Sequence, residues 1–349
     1  MRSIPRTVMF ALLSVAVVGL ALWTVALGSV RIPLDEVVQG VLGNPTEPSS
    51  WGTIVRQVRL PRALTALLAG SALGVGGLQM QTLFRNPLAD PFILGTSAGA
   101  SLGVALVVLA SGAGGAALGG SSGTFGALGV TAAAAMGAGA VTLLVLAVSR
   151  RVANAATVLI IGLMIGYATQ AVVTVLVSAG LQRFDGVRAY IAWGFGSFAG
   201  TTWSELQVFV PVVIAALLAA GLMVKSLDAL LLGDRYAASM GLRVRRVRVG
   251  IISTAALLAG VVTAFCGPIA FIGIAAPHVA RGLVRHGGHR VLVPATALVG
   301  AAIALAAGLI AQLPGVDASL PLNAVTSLFG APVVVAILLR MRRSGEAVA

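Results

Sequence analysis

Three arginines spaced three residues apart are the first side chains in this sequence that could bind a charged partner. Arg56, Arg59 and Arg62 stand where a long apolar segment begins. Guanidinium groups form forked, charge-assisted pairs with carboxylates, so this row could bind acidic side chains of another protein. The alternative is that the arginines extend toward lipid phosphates at a membrane surface.

Polar side chains inside apolar segments form a second set. Gln79 and Gln81 lie near the end of one such segment, while Thr169, Gln170 and Thr174 recur at helical spacing in another. Polar groups at membrane depth usually face a bundle interior or a cavity, which predicts that these five line a translocation path. Hydrogen bonds between helices are an equally good interpretation of each one.

A compact loop between apolar segments is the third candidate. Residues 225–248 contain Asp234, Arg235, Ala237 and Ala238, followed by Gly241. Glycine commonly ends a helix, so the pattern predicts a short helix, a turn and a basic segment. Such a loop could press into a groove of a partner protein, and a plain solvated loop is the alternative.

Residues for metal or nucleotide chemistry are not grouped in the sequence. His278, His286 and His289 have no cysteine or carboxylate close by in the chain, and Cys266 is the single cysteine. Lys225 lacks the preceding glycine pattern of a phosphate-binding loop, so we expect no ATP hydrolysis by this chain alone. We expect no enzymatic activity, no cofactor and no metal site in the chain itself.

Composition identifies an integral membrane protein. The sequence is 58% hydrophobic and only 9% charged, whereas soluble domains carry about 25% charged residues. The apolar runs are continuous rather than alternating, which predicts helices and not a barrel. The net charge of +13 therefore indicates topology rather than nucleic-acid binding.

Ten membrane-spanning helices can be drawn in a single domain over residues 1–349. The eighth is too short to cross alone and should pack inside the protein. Pro61 suits the first turn of the second span, and Asn86 with Pro87 should end it. The spans are 8–28, 62–83, 92–111, 124–148, 154–178, 204–224, 247–266, 270–283, 291–313 and 323–339.

The basic residues predict the orientation. Of 23 lysines and arginines, 17 fall in one set of connections and six in the other. Positively charged loops stay inside, so both termini should be cytoplasmic. The glycine pairs Gly70 with Gly74 and Gly162 with Gly166 predict close helix contacts, and residues 111–123 predict a flexible outer loop.

Several separated motifs resemble the FecCD-type permeases of ABC importers for ferric siderophores, haem and cobalamin. They follow one another in the same order over nearly the whole chain. The motifs are Arg59-Leu60-Pro61-Arg62, residues 85–91 (RNPLADP), 94–99 (LGTSAG), 193–197 (WGFGS), 232–241 (LGDRYAASMG), 271–273 (FIG), 277–281 (PHVAR), His289-Arg290 and Gly330-Ala331-Pro332.

The resemblance implies an all-helical membrane subunit with about ten spans in the cell membrane. It implies a second permease subunit, two cytoplasmic ATPases that bind ATP and Mg²⁺, and an external solute-binding protein. By the same likeness, Arg59 and Arg62 match outer arginines that meet acidic residues of the binding protein. The segment from Asp234 to Gly241 matches the one that contacts the ATPase.

The chain departs from the family pattern near the ninth span. Gln312 occupies the place of a third outer arginine, and Ser319 that of a glutamate. These departures suggest weaker docking or a second, different permease subunit. We expect an importer of ferric siderophores, with haem or cobalamin as alternatives. An ion-coupled secondary transporter is less favoured, because no span carries a buried carboxylate or lysine.

Overall fold

The computed structural model describes residues 5–28, 30–110, 124–152, 155–180, 184–284, 287–312 and 320–343. Regular structure in these ranges is helical throughout. The helices are α1 (Arg6–Ala26), α2 (Leu34–Leu42), α3 (Ser49–Ile54), α4 (Leu60–Phe84), α5 (Thr96–Ala110), α6 (Thr124–Ser149), α7 (Ala155–Ala179), α8 (Phe184–Gly194), α9 (Trp203–Leu222), α10 (Val224–Leu231), α11 (Asp234–Ser239), α12 (Val244–Cys266), α13 (Ile272–Val284), α14 (His289–Ala311) and α15 (Leu322–Arg343).

The ten predicted spans each coincide with one of these helices to within a few residues. Seven helices in the described residues are long and apolar enough to cross a membrane, and three shorter apolar helices accompany them. The predicted all-helical membrane fold is therefore confirmed. The predicted outer loop at 111–123 lies outside the described residues, and the sequence pattern did not predict α2 and α8.

The second span begins earlier than predicted. Helical backbone runs without a break from Ser49 to Phe84, because a π-helical turn at Val55–Arg59 joins α3 to α4. Pro61 cannot donate a backbone hydrogen bond, and a wider turn just before it accommodates that loss. Pro61 lies in the first turn of α4, as predicted, but the helical backbone continues before it through the π-helical turn.

Helix α4 is the centre of the bundle. Twenty of its 25 residues are buried, and it packs against α9, α12, α13 and α14. Its apolar and polar residues are spread around the whole circumference, which is the pattern of a helix enclosed by others. The sequence of α4 is therefore dominated by small residues.

Glycines bring the neighbours of α4 into backbone contact. A Cβ atom at Gly70 would overlap the carbonyl oxygen of Gly300 in α14, and one at Gly77 would overlap the carbonyl of Gly273 in α13. Gly74 faces the Thr296 carbonyl on the same side. The close contact predicted for the Gly70 and Gly74 pair is confirmed.

The second predicted glycine pair also lies at a contact. Gly162 and Gly166 in α7 face the backbone of Leu94 and Gly95, which lie just before α5. A Cβ at either position would come within 3.3 Å of a Cα atom there. Small residues on α7 thus let it approach the start of α5.

The short helix α13 lies beside the last third of α4. Its second residue, Gly273, contacts Gly77, and its side chains Ile272, Ala276 and Ala280 are buried in the core. Thirteen residues cover about 20 Å, which is less than the thickness of a bilayer core. The prediction that this segment packs inside the protein is confirmed.

Replacing Gly70 by alanine should destabilise the protein. The added methyl group meets the Gly300 carbonyl, so α4 and α14 must separate, at a cost of about 1–3 kcal/mol typical of overpacking. Gly139→Ala is the matched control, because a Cβ at this glycine of α6 meets nothing within 4 Å. Thermal unfolding in detergent should show a lower melting temperature for Gly70→Ala only. Equal melting temperatures for the two variants would contradict the contact.

Candidate functional site

Arg59 closes the outer end of α1. Its Nη1 donates to the carbonyls of Val25 at 2.9 Å and Ala26 at 2.7 Å, and its Nη2 donates to the carbonyl of Val30. The last carbonyls of a helix lack partners within the helix, so a cation there satisfies them and complements the helix dipole. Only 4% of Arg59 is exposed.

Arg62 is equally enclosed. Its Nη2 donates to the Gly308 carbonyl in α14 at 3.3 Å, and its buried Nε has no hydrogen-bond partner among the described residues. The backbone N–H of Gln312 donates to the same carbonyl at 3.3 Å. Gln312, which replaces the third outer arginine, therefore ends α14 close to Arg62. Ser319 lies outside the described residues.

Arg56 is the exposed member of the arginine row. Its Nε donates to the Gly52 carbonyl at 3.4 Å, and its own carbonyl accepts from Nε1 of Trp203 at 2.8 Å. The structure thus places the three arginines at one end of the bundle but gives two of them internal partners. Binding of acidic residues by this row stays a prediction, with Arg56 as its accessible member.

The predicted loop lies at the opposite end of the bundle and contains α10 and α11; residues 224–241 are called the coupling segment here, after their predicted role. Gly233 and Gly241 flank α11 with φ of +111° and +85°, values that favour glycine. Ala237 is buried, while Arg235, Ala238 and Gly241 are exposed. The predicted short helix ending at a glycine is confirmed.

Asp234 holds the start of α11 to the bundle. Its Oδ2 accepts from Nη2 of Arg248 in α12 at 2.9 Å. Its Oδ1 lies 3.7 Å from Nη2 of Arg85, the residue that follows α4. About half of the Asp234 and Arg85 side chains is exposed, whereas Arg248 is buried.

A second carboxylate connects α10 to the core through a histidine. Oδ1 of Asp228 lies 2.7 Å from Nδ1 of His289 and accepts from the His289 backbone N–H at 2.9 Å. Nε2 of the same ring lies 2.8 Å from Oγ1 of Thr82 in α4. This chain of contacts joins α10, α14 and α4.

The five predicted path residues fall into two groups. Gln79 accepts from the Thr254 hydroxyl in α12 at 3.1 Å. Gln81 donates to carbonyls of α13 and accepts from Nη1 of Arg281 at 2.6 Å. Both glutamines are buried inside the subunit, where they bond to neighbouring helices.

The other three path residues follow one side of α7. Gln170 and Thr174 are exposed and Thr169 is half-buried. The two threonine hydroxyls donate to carbonyls one turn back in their own helix, which satisfies them without a partner helix. Tyr167, 63% exposed, lies one turn before this group. The lining of a path by these residues stays a prediction.

A cleft of about 790 Å³ separates α11 from the ends of α4 and α7. Arg85 and Asp234 line it together with Tyr236. On the coupling segment, Leu232, Tyr236 and Met240 are each more than half exposed. Apolar side chains on a small helix beside a cleft suit insertion into another protein.

Comparison with known proteins identifies the family. A sequence model of the FecCD transport family matches residues 13–340. The chain belongs to the FecCD transport family.

Relatives and solved structures agree with this membership. The vitamin B12 import system permease protein BtuC of Escherichia coli O9:H4 is 35% identical over 303 residues, covering 85% of this chain and 88% of the relative. BtuC of Klebsiella pneumoniae is 37% identical over 289 residues, covering 83% of each. A solved structure, described as an inward-facing conformation of an ABC transporter assigned to the metal-chelate type, has a TM-score of 0.82. It is 25% identical and covers 96% of this chain and 99% of its own.

This FecCD protein is accordingly an ABC importer permease, a translocation subunit in the cell membrane. The sequence pattern did not predict the contact between Asp228 and His289. Two signals were available: Asp228 is the single acidic residue of α10, and His289 begins one of the motifs that resemble the family.

The turn after α4 contains a buried carboxylate. Oδ1 of Asp90 accepts from the Phe92 N–H at 2.8 Å and so caps the short 3-10 helix Pro91–Leu94. Left-handed backbone at Arg85 ends α4 where Asn86 and Pro87 predicted it. Burial raises the pKa of Asp90 to about 6, because the charged form loses hydration, while the Phe92 hydrogen bond opposes the shift.

Exchanging Arg59 should reduce stability more than exchanging Arg56. Arg59→Ala leaves the Val25 and Ala26 carbonyls at the end of α1 without their partner, and an unsatisfied buried carbonyl costs about 1–3 kcal/mol. Arg56→Ala removes one long, weak contact from an exposed side chain. Melting temperatures of the two variants in detergent test this difference. A smaller drop in melting temperature for Arg59→Ala than for Arg56→Ala would contradict the role of Arg59 in holding the end of α1.

Asp90 should make stability fall as pH rises from about 4 to about 6. Its pKa in the folded protein lies above the ordinary 3.8, so the folded state binds more protons across that window. The stabilisation that Asp90 gives in its protonated form is complete below its ordinary pKa of 3.8 and is lost as pH rises through its folded-state pKa of about 6. Asp90→Asn keeps the cap and should flatten this part of the melting-temperature profile. An unchanged profile in Asp90→Asn would contradict the assignment.

Proposed function

We propose that this chain is the membrane subunit of an ATP-driven importer of cobalamin. The two relatives reported above are both named as vitamin B12 permeases, and each covers more than four-fifths of this chain. Those names favour cobalamin over the ferric siderophore expected from the sequence motifs. Both are large metal chelates, and haem belongs to the same class.

The observation that supports an ATP-driven mechanism most directly is the exposed coupling segment. It presents Leu232, Tyr236 and Met240 beside exposed arginines at 235, 243, 245 and 246. An apolar patch with a basic rim fits a groove that is apolar inside and acidic at its edge. We assign that groove to a separate ATPase, in which ATP and Mg²⁺ bind.

The basic residues support the orientation of the chain. Contacts among the ends of α4, α12 and α14 bring Arg85, Arg248 and His289 to the same end of the bundle as the coupling segment. This end has most of the arginines, so it should face the cytoplasm, together with both termini. The external binding protein would then dock at the opposite end, near Arg56.

The exposed side of α7 supports a path between two permeases. Tyr167, Gln170 and Thr174 are polar and exposed in a segment that should lie within the membrane. Such side chains are costly against lipid, and a facing permease subunit would enclose a polar route. The second subunit could be another copy of this chain or a different permease.

A secondary transporter remains the candidate from another class, and the positions of the carboxylates speak against it. In the described helices that are long enough to cross a membrane, Glu205 is the acidic residue, and it lies in the first turn of α9. It bonds to Thr202 in a capping box. Ion-coupled carriers use carboxylates near the middle of the membrane.

The chain should copurify with an ATPase that binds the coupling segment. In mild detergent, we expect a P-loop ATPase in 1:1 amount with the permease, measured by mass spectrometry. Tyr236→Asp buries a charge in the docking groove and should reduce the ATPase recovered at least tenfold. The control Thr53→Asp adds the same charge to an exposed residue at the other end of the bundle. A folded wild-type chain without any ATPase would refute the proposal.

Uptake measurements separate the candidate substrates. Cells that lack their own vitamin B12 permease and express this chain with its neighbouring subunits should accumulate radiolabelled cobalamin. We expect no accumulation with Tyr236→Asp and wild-type accumulation with Tyr236→Phe, which keeps the apolar ring. Uptake of labelled ferric siderophore or haem without cobalamin uptake would reassign the substrate while keeping the importer.

A further inference from the structure

Two carboxylates connect the coupling segment to the rest of the bundle, and their surroundings differ. Asp234 is half exposed and meets the buried Arg248 at 2.9 Å and the half-exposed Arg85 at 3.7 Å. Asp228 is 41% exposed and meets His289, of which 1% is exposed. The partner of Asp228 also contacts Thr82 of α4, so this connection continues into a further helix.

The connection through His289 has fixed geometry. Three contacts of 2.7 to 2.9 Å hold the residue: two to Oδ1 of Asp228, from the ring and from the backbone N–H, and one between Nε2 and Thr82. Bonds in a water-excluded site are stronger than in water. The ring therefore cannot turn without breaking contacts at both ends.

Thr82 lies in the last turn of α4, a helix that is closely packed against its neighbours. The contacts of Gly70, Gly74 and Gly77 place its backbone directly against α13 and α14. Close-packed interiors transmit displacement instead of absorbing it. A movement of α10 would thus reach α4 and α14 together.

Helix α11 is connected more loosely than α10. Glycines with positive φ flank it at both ends, and the cleft of about 790 Å³ lies beside it. Its carboxylate Asp234 binds the buried Arg248 of α12 and lies near the half-exposed Arg85. The two helices of the coupling segment thus contact different parts of the bundle: α10 reaches α4 and α14 through His289, and α11 reaches α12.

We infer that His289 is a positioning residue that transmits movement of α10 to α4 and α14 through the Asp228–His289–Thr82 contacts. This inference rests on the proposed function, because the movement comes from the ATPase bound to the coupling segment. The positive-φ glycines on both sides of α11 let that helix adjust to the ATPase. The relay through His289 is the side-chain route by which movement of α10 reaches α4 and α14.

The test is the number of cobalamin molecules transported per ATP hydrolysed. The complete complex, permease with ATPase and binding protein, is reconstituted in liposomes, and both rates are measured on the same preparation. Asp228→Ala removes the acceptor of both His289 contacts and should lower the ratio at least tenfold. Asp228→Asn keeps an acceptor oxygen and should restore it to within threefold of wild type.

Two further variants separate transmission from folding. Thr82→Val preserves shape, removes the contact to Nε2 together with the hydroxyl's hydrogen bond to the Leu78 carbonyl of its own helix, and should lower the ratio about threefold. Asp35→Ala, which removes an exposed carboxylate from α2 at the opposite end, should leave the ratio unchanged. Melting temperature and ATPase content are recorded for each complex, so that a misfolded variant is recognised. If Asp228→Ala is misfolded, the milder variant Thr82→Val tests the role of His289.

The outcomes distinguish this inference from the proposed function. If both Asp228→Ala and Thr82→Val transport as many cobalamin molecules per ATP as wild type, the role of His289 is overturned and the importer stays intact. If Asp228→Ala fails to fold, a wild-type ratio in Thr82→Val alone has the same meaning. A lowered ratio in Asp228→Ala that Asp228→Asn does not restore also overturns it, since the contacts would not be the cause. A wild-type complex that retains no ATPase refutes the importer itself.

Discussion

The structure depends on direct backbone contact between α4 and its neighbours, with no side chains in between at the contact points. Inside a membrane the hydrophobic effect does not drive helices together, because lipid tails are as apolar as the side chains. Close packing between backbones must therefore hold an enclosed helix in place. Gly70, Gly74 and Gly77 provide that contact against α13 and α14. With the central helix fixed so closely, functional side chains are placed at its two ends, where space is available for them.

Both ends of α4 use polar side chains to complete backbone hydrogen bonding that the helices leave open. At the start of α4, Arg59 satisfies the last carbonyls of α1. At the other end, Arg85 donates to the Leu230 carbonyl at the end of α10, and Asp228 accepts from the first N–H of α14. In each case a charged group meets helix ends whose dipole it complements. The charges that could contact partners therefore also hold the helices in place.

Span positions and short loops could be predicted from the sequence, because apolar runs and helix-ending residues act locally. The end of α4 at Asn86 and the short helix ending at Gly241 are examples. Burial of Arg59 could not be predicted, since its partners lie about 30 residues earlier in the chain. The relay through His289 joins residues more than 200 positions apart, and nothing in the local pattern marks such a contact.

The unbroken helix from Ser49 to Phe84 has a further consequence. At 1.5 Å per residue its 36 residues extend for about 54 Å, whereas the apolar core of a bilayer is about 30 Å thick. The continuous segment is therefore longer than the apolar core is thick. Arg56 near its start and Thr82 in its last turn belong to one helical element, so the two ends of the bundle are joined here without an intervening loop.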